Sequence, residues 1–196
     1  MISVGIILGS TRPNRNGPQV ARWVHDLASR REDATFELID LLDHPLPHLE
    51  EPVPPMFGPS ANQHTRDWAA RIAPFDGFVI VTPEYNGGMP GVLKNAIDHA
   101  CAEWTDKAVG FVSYGVSGGA RAVAQLRTVC GALGMADVSR PVELSLFTDF
   151  ENHTTFVPGE RHAAALATML DQVVSWSTAL APLREGSLVG AEAGRS

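Results

Sequence analysis

The sequence predicts an α/β domain in which parallel strands alternate with helices on both faces of one sheet. Apolar runs such as 2–8 and 78–82 are typical of strands that are buried on both faces. Segments with apolar residues at helical spacing follow these runs, and repeated strand–helix units of this kind form parallel sheets. Polar loops that contain glycine follow three of the runs, which places them together at the carboxyl edge of the sheet, where open α/β sheets bind ligands.

The first two units are predicted from composition and periodicity. Residues 2–8 and 35–41 are rich in apolar and β-branched side chains, which favour strands. A helix that begins at Pro18 carries an apolar stripe formed by Val20, Val24, Leu27 and Ala28. Residues 44–60 then hold six prolines, a density that neither a helix nor a sheet ladder tolerates. We predict an irregular loop there that covers a partner subunit.

The later elements are predicted from caps and prolines as well as periodicity. Ser60 and Gln63 have the spacing of a capping box, so we expect Ser60 to open a helix. Pro90 is placed in the first turn of the next helix, where its missing N–H costs nothing. Pro141 makes the last strand an edge strand. The remaining elements are strands over 78–82, 107–114 and 138–146 and helices over about 120–132 and 160–181.

Composition and charge predict one soluble domain. The chain has 196 residues, 44% of them hydrophobic and 19% charged, which is enough for one α/β domain and marginal for two. We assign residues 1–182 to that domain and predict a flexible tail over 183–196. A net charge of −7 argues against nucleic acid or an anionic membrane as partner. Cys101 and Cys130 lack the spacing of a metal or disulfide motif, so we predict no metal and a cytoplasmic protein.

The loop after the first strand has the chemistry of an anion site. GSTRPNRNG, residues 9–17, lacks both the GxGxxG fingerprint of dinucleotide-binding domains and the GxxxxGK[ST] pattern of a P-loop. It places hydroxyls, amides and two guanidinium groups before a helix N-terminus, whose N–H groups and dipole favour an anion. Arg12 and Arg15 could bind a phosphate, but the same loop is equally compatible with Asn16 capping the helix and the arginines lying in solvent.

Three segments together resemble the NADPH-dependent FMN reductase family of flavodoxin-like proteins. They are GSTRPNRNG after strand one, PEYNGGMPGVLKNAIDH after strand three and GVSGGARA after strand four, and the resemblance spans residues 2–146. It implies a three-layer flavodoxin-like α/β fold with a five-stranded parallel sheet of order 2-1-3-4-5, helices on both faces and FMN at the carboxyl edge. It also implies a homodimer or homotetramer.

The family pattern, carried onto this sequence, assigns a part of FMN to each loop. The phosphate falls on the first loop, at Ser10, Arg12, Asn14 or Arg15 and the backbone around Gly17, Pro18 and Gln19. The isoalloxazine ring falls on the second loop, at Pro83, Glu84, Tyr85, Asn86 and Gly87. The pyrimidine edge falls on the third loop, at Tyr114, Gly115, Ser117, Gly118 and Gly119. Glycine-loop N–H groups suit the negative charge of the reduced ring at that edge.

The resemblance also implies a ping-pong reductase. NADPH or NADH passes hydride to bound FMN and leaves, and a small-molecule acceptor takes its place: free flavin, a quinone, an azo compound or a metal oxyanion. Because this transfer depends on the stacking of cofactors, we name no catalytic acid or base and give Glu84 a hydrogen-bonding or solvent-facing role. Arg12, Arg15 and Arg121 are candidate partners for the 2′-phosphate of NADPH.

Two other functions fit parts of the sequence. A flavodoxin-type electron carrier would use the same loops without a nicotinamide. Residues 115–119 also match GxSxG, and Asp149 with His153 or His162 follow Ser117 in the chain order of a serine hydrolase. The hydrolase interpretation leaves the PEYNGG segment unexplained.

Overall fold

The computed structural model describes residues 1–186 and shows one parallel sheet between two layers of helices. Its strands are β1 (Ile2–Leu8), β2 (Ala34–Asp40), β3 (Gly77–Pro83), β4 (Ala108–Gly115), β5 (Ala136–Asp137) and β6 (Val142–Ser145). Their order is β2-β1-β3-β4-β5, β6 also pairs with β4, and every pairing is parallel. The predicted α/β class and the 2-1-3-4-5 order are confirmed.

Helices cover both faces of this sheet. They are α1 (Gly17–Ala28), α2 (Gln63–Ile72), α3 (Gly91–Asp98), α4 (Ala120–Ala132) and α5 (Glu160–Arg184). Side chains of α1 and α5, such as Val24 and Leu166, form one core with one face of the sheet. Side chains of α2, α3 and α4, such as Trp68, Leu93 and Leu126, form the second core on the other face.

The two central strands explain why the apolar runs are continuous. Every residue of β3 and β4 is buried, because helices pack on both faces of the sheet. Each large apolar side chain buried in this way stabilises the fold by about 1.5–3 kcal/mol. The carboxyl ends of β1, β3 and β4 are therefore held at one edge by well-packed strands, and the loops that follow them start from fixed positions.

The fifth strand differs from its prediction. Residues 138–146 do not form one strand: β5 and β6 are separate segments along β4, and Pro141 lies between them. Proline has no N–H for a ladder and restricts the residue before it, here Arg140. The N–H of Val138 still reaches the carbonyl of Val109 at 2.9 Å. The edge position is confirmed, and the continuity of the strand is wrong.

A short antiparallel hairpin follows β6 and was not predicted. It consists of β7 (Phe150–Glu151) and β8 (Thr155–Phe156). Its turn residues Asn152 and His153 have φ values of 51° and 60°, the left-handed conformation of a tight hairpin turn. Strands of two residues are too short for a periodic pattern, and a turn without glycine gives only a weak sequence signal.

The proline-rich segment is irregular, as predicted, and α3 holds part of it in place. Asn95 donates to the carbonyl of Pro47 at 2.7 Å and accepts the N–H of Leu49 at 3.0 Å. The side chain of Phe57 is 73% exposed, and Met56 beside it is also exposed. The predicted role of this loop as a cover for a partner subunit remains a prediction.

The predicted capping box at Ser60 is wrong. Helix α2 begins at Gln63, and its cap residue Asn62 makes no side-chain capping bond. The carboxylate of Glu51 instead accepts the N–H groups of Ala61 and Asn62 at 2.7 and 3.1 Å. The nearby Thr65 hydroxyl first, and then the hydrogen bonds from these amides, lower the pKa of Glu51 below its ordinary value. A carboxylate suits a helix N-terminus better than a neutral hydroxyl does, because it also interacts with the helix dipole.

Element boundaries otherwise agree to within a few residues. Pro90 is the cap of α3 rather than a residue of its first turn, and α5 continues to Arg184, so two residues of the predicted tail are helical. Glu185 and Gly186 of that predicted tail form a turn, and residues 187–196 lie outside the described residues. Within residues 1–186, no helix is both long and apolar enough to span a bilayer.

Candidate functional site

The three glycine-containing loops meet at the carboxyl edge of the sheet. The hydroxyls of Ser10, after β1, and Tyr85, after β3, share a hydrogen bond of 2.8 Å. The N–H of Glu84 donates to the carbonyl of Tyr114 at 3.0 Å, which joins the second loop to the end of β4. The predicted convergence of the loops is confirmed.

The two arginines of the first loop have different surroundings. The guanidinium of Arg15 donates to the Ser10 carbonyl at 2.6 Å and to Asp40 at 2.5 Å, and its side chain is 9% exposed. Arg12 is exposed, and its Nε donates to the Tyr85 hydroxyl at 3.3 Å. Arg15 therefore supports the loop from within, whereas Arg12 lies at the surface of the site and is available to an anion.

The N-terminus of α1 is not capped by Asn16. The Asn16 amide donates instead to the carbonyl of His153 in the hairpin, at 2.8 Å. The Gln19 amide donates to the carbonyl of Thr154 at 2.8 Å and accepts the N–H of Phe156 at 3.0 Å. The interpretation that Asn16 merely caps the helix is wrong, and these two side chains attach the hairpin to the first loop.

The backbone of the same turn leaves one donor for a ligand. Pro18 has no N–H, and the N–H of Gln19 bonds to the Asn16 carbonyl at 3.1 Å. Within the described residues, the N–H of Gly17 bonds to no backbone carbonyl, and it faces the Tyr114 hydroxyl. Together with Ser10, the exposed Asn14 and Arg12, it forms a cradle for an anion at a helix N-terminus.

The second loop is a tight two-residue turn. Tyr85 and Gly88 exchange backbone hydrogen bonds of 2.9 and 3.0 Å around Asn86 and Gly87, whose φ values are 51° and 79°. These angles are those of a type I′ turn, for which Asn-Gly is the favoured pair. The turn follows buried Pro83 at the end of β3 and holds the Tyr85 side chain toward the first loop.

Glu84 is a structural carboxylate that caps α4. Its side chain is 6% exposed and accepts the N–H of Arg121 at 3.0 Å and the Nε of Arg121 at 2.7 Å. The Arg121 side chain, itself 65% exposed, is the main reason why the pKa of Glu84 lies below its ordinary value. Glu84 is therefore ionised at neutral pH, which agrees with the hydrogen-bonding role predicted for it.

The third loop depends on two glycines. Gly118 and Gly119 have φ values of 68° and 83°, and a Cβ on Gly119 would lie 2.6 Å from the Cβ of Ser113. The Ser113 hydroxyl donates to the Gly118 carbonyl at 2.6 Å and fixes the turn from below. Ser117 is exposed between Gly115 and these glycines.

The side chain of Tyr114 lies away from the third loop, with which the family pattern groups it. Its backbone ends β4 beside Gly115, but its ring is 4% exposed in the core between the sheet and α1. Its hydroxyl lies against Gly17 of the first loop, since a Cβ on Gly17 would be 2.8 Å from the hydroxyl oxygen. Tyr114 therefore belongs with the loop assigned to the phosphate, not with the loop assigned to the pyrimidine edge.

The Tyr114 hydroxyl faces the N–H of Gly17 and has no acceptor for its own proton among the described residues. Burial is the main cause that raises the pKa of this phenol above its ordinary value, so the hydroxyl keeps its proton. A buried hydroxyl without a partner costs about 1–3 kcal/mol. An anion at the N-terminus of α1 would supply the acceptor, and in this respect the residues fit a phosphate.

The residues of the hydrolase alternative do not assemble. His162 is buried against Asp149, with 3.6 Å between Nε2 and Oδ1, and the Nδ1 of His153 donates to the Leu146 carbonyl at 3.0 Å. Within residues 1–186, neither imidazole makes a hydrogen bond to Ser117. The strained backbone of a nucleophile elbow would fall on the serine itself, whereas here the left-handed residues are the two glycines after it.

This sheet order, with three loops meeting beside a helix N-terminus that lacks a side-chain cap, defines a flavodoxin-like domain with an anion cradle at its carboxyl edge. A model of the NADPH-dependent FMN reductase family matches residues 2–148. The chain belongs to this family.

Curated relatives agree with the assignment. An NAD(P)H-dependent FMN reductase of Schizosaccharomyces pombe is 44% identical over 132 residues, which are 66% of this chain and 66% of that protein. A 2-hydroxy-1,4-benzoquinone reductase of a Burkholderia species is 32% identical over 147 residues, 71% of this chain and 76% of that protein. The chain thus spans just under two thirds of the length of the first relative.

Solved structures agree on the fold. The flavoenzyme NAD(P)H:(acceptor) oxidoreductase FerB of Paracoccus denitrificans superposes with a TM-score of 0.68. The superposition covers 91% of this chain and 98% of that chain at 24% identity. At this identity the likeness shows a shared flavodoxin-like fold.

Proposed function

We propose that the chain is an NAD(P)H-dependent oxidoreductase that holds FMN non-covalently at the carboxyl edge of its sheet and reduces a small-molecule acceptor. The observation that carries the proposal is the junction at Tyr85, whose hydroxyl contacts Ser10 and Arg12 and so joins the loops after β1 and β3. When bound, FMN supplies the redox chemistry, taking hydride from the nicotinamide and releasing it to an acceptor in a ping-pong cycle.

The first loop binds and orients the phosphate in this proposal. Arg12 contributes a charge-assisted hydrogen bond, and the N–H of Gly17 donates from the N-terminus of α1. Arg15 holds the Ser10 carbonyl and Asp40, and so keeps the loop in the conformation that binds. An anion held here lies at the positive end of the helix dipole.

The second and third loops receive the ring. The Asn86–Gly87 turn presents backbone rather than bulky side chains to one side of the ring, so a nicotinamide can approach the other. The third loop, Gly115, Ser117, Gly118 and Gly119, offers the backbone N–H groups of Ser117 and Gly119 to the negative charge that develops at the pyrimidine edge, whereas the N–H of Gly118 donates to the Gly115 carbonyl at 3.2 Å. Glu84 fixes the relative position of these two loops through Arg121.

The proposed preference for NADPH rests on an exposed guanidinium near the ring. Arg15 is buried against Asp40 and is a poor partner for a 2′-phosphate, whereas Arg12 and Arg121 are exposed. The quinone class of acceptor is supported by the Burkholderia relative, which is named for a benzoquinone substrate. Flavins, azo compounds and metal oxyanions are the other acceptors to assay.

Exposed apolar residues and two free cysteines bear on the assembly and the location of the protein. The exposed Met56 and Phe57 and an apolar depression of about 400 Å³ beside Met89 and Val129 support a homodimer or homotetramer. The unpaired Cys101 and Cys130 support a cytoplasmic location. Sedimentation of the purified protein measures its oligomeric state, and a single monomeric species would contradict the proposed assembly.

Rapid mixing of FMN-loaded protein with NADPH, without oxygen, tests the proposed activity. We expect the visible flavin band to bleach within seconds and to return when a quinone is added. If dithionite bleaches the band and neither NADPH nor NADH does, the chain is an electron carrier of the flavodoxin type. An ester hydrolysis rate that Ser117→Ala abolishes would support the hydrolase instead.

A further inference from the structure

We infer that Tyr114 makes the site selective for FMN over riboflavin, because its buried hydroxyl donates a hydrogen bond to the phosphate held at the N-terminus of α1. This inference rests on the proposed function, since it names a residue that recognises the phosphate of the proposed cofactor. The family pattern does not contain this role, because it assigns Tyr114 to the pyrimidine edge of the ring and not to the phosphate.

The position of the hydroxyl supports the inference. A Cβ on Gly17 would lie 2.8 Å from the Tyr114 oxygen and 2.5 Å from Cδ1 of Leu8, so only glycine lets the first turn of α1 approach this closely. The charged and polar groups around the hydroxyl are Tyr85, Arg15, Arg12 and the N–H of Gly17, all of which belong to the first loop or its contacts. The hydroxyl therefore lies at the floor of the anion cradle.

The hydroxyl is also a donor without a protein acceptor. Buried polar groups normally have a partner, and the Tyr114 hydroxyl has no acceptor among the described residues. A phenylalanine would fill the same apolar space without the cost of an unpaired hydroxyl. A residue that lowers the stability of the free protein in this way fits a role in binding.

The ring is held so that it cannot turn away. Tyr114 packs against Phe150 with 6.1 Å between ring centroids, Phe150 against Phe156 at 5.1 Å, and Phe156 against Trp23 of α1 at 5.4 Å. This aromatic row links β4, the hairpin and α1, and it fixes the direction of the Tyr114 hydroxyl. A donor that is positioned before the ligand arrives loses little entropy on binding.

Tyr114→Phe in the FMN-free protein tests the inference with three measurements. We expect affinity for FMN to fall about 10- to 100-fold, the range for a hydrogen bond to a charged group. Affinity for riboflavin, which lacks the phosphate, should stay the same. The melting temperature of the free protein should rise by about 2 °C, because the unpaired hydroxyl is gone.

Phe111→Leu is the matched control, because it removes ring volume from the second core and keeps both the aromatic row and the hydroxyl. We expect it to leave the ratio of the FMN and riboflavin affinities unchanged. Equal losses of both ligands in Tyr114→Phe, or no loss of either, would overturn the inference and leave the proposed function intact. Failure of the unaltered protein to bind FMN would overturn both.

Discussion

Single residues at the site divide into those that support a loop and those that face a ligand. Arg15 and Arg12 show the division most clearly, because they lie three positions apart in one loop and differ in burial. The sequence presents them as equivalent cations. Which of them is paired depends on Asp40, which lies at the end of β2 and comes close only in the folded chain.

Replacing each arginine by alanine separates the two roles. Arg15→Ala should destabilise the protein by about 1–3 kcal/mol, because Asp40 loses its partner in a half-buried position. Arg12→Ala should change stability by less than about 0.5 kcal/mol and weaken FMN binding about 10-fold. Urea unfolding measures the stability of both variants, and FMN titration measures their affinity. A stable Arg15→Ala that loses FMN, or an unstable Arg12→Ala that keeps it, would contradict the two roles.

Gly119 offers a second test at the residue scale. Gly119→Ala should cost about 2 kcal/mol or more, because the residue has φ of 83° and its new Cβ would press on Ser113. Gly131→Ala in α4 is the control, since a Cβ there has open space and should stabilise the helix by about 0.5–1 kcal/mol. Denaturant midpoints measure the stability of both variants. Similar shifts in the two midpoints would show that the left-handed conformation of Gly119 does not matter for stability.

At the scale of elements, two helices are capped by carboxylates from distant loops. Glu51 serves α2 and Glu84 serves α4, and neither cap residue of these helices makes a side-chain capping bond. Both arrangements tie a loop to a helix that follows it in the chain. For α4, the consequence is that the second and third loops of the site move together.

The Glu84 cap makes stability depend on pH. Because the pKa of Glu84 is lowered in the folded protein, its contribution is complete above the unfolded pKa, about 4.3, and is lost as pH falls through the folded pKa. Glu84→Gln should therefore cost about 1 kcal/mol at neutral pH and nothing in strong acid. Unfolding curves across this range measure the difference. Exposed Glu32→Gln is the control, and a Glu84 effect independent of pH would contradict the cap.

Gln19 makes two of the three side-chain hydrogen bonds by which Asn16 and Gln19 hold the hairpin after β6. Gln19→Ala removes two hydrogen bonds to it and should raise amide exchange at Phe156 by about 10-fold or more, while global stability changes little. Gln172→Ala, which loses only a bond to Ser139, should leave Phe156 unchanged. Exchange at Phe156 that is equal in both variants would show that the hairpin does not depend on Gln19.

At the scale of the whole molecule, the sequence predicts the features that periodic apolar residues or sequence motifs mark. Continuous apolar runs predicted β3 and β4, and the structure confirms the glycine-containing loops predicted after them. The strand order came from the family resemblance, because local patterns do not specify which strands are neighbours.

The parts that the sequence missed depend on contacts between distant segments. The Glu51 cap could not be predicted, because it depends on the path that the proline-rich loop takes to α2. The break at Pro141 could not be predicted either, because it depends on which residues pair with β4. Alternation along β4 could have shown that Ser113 and Tyr114 lie on opposite faces, yet only the folded chain shows that Tyr114 reaches Gly17.

Hydrogen exchange with and without FMN tests most directly that three separate loops form one cofactor site. On addition of FMN to the free protein, we expect amides of the first, second and third loops, at 9–17, 84–88 and 115–119, to gain protection together and with one affinity. Protection confined to one loop, or found instead at the opposite edge of the sheet near Lys107 and Arg184, would contradict the account.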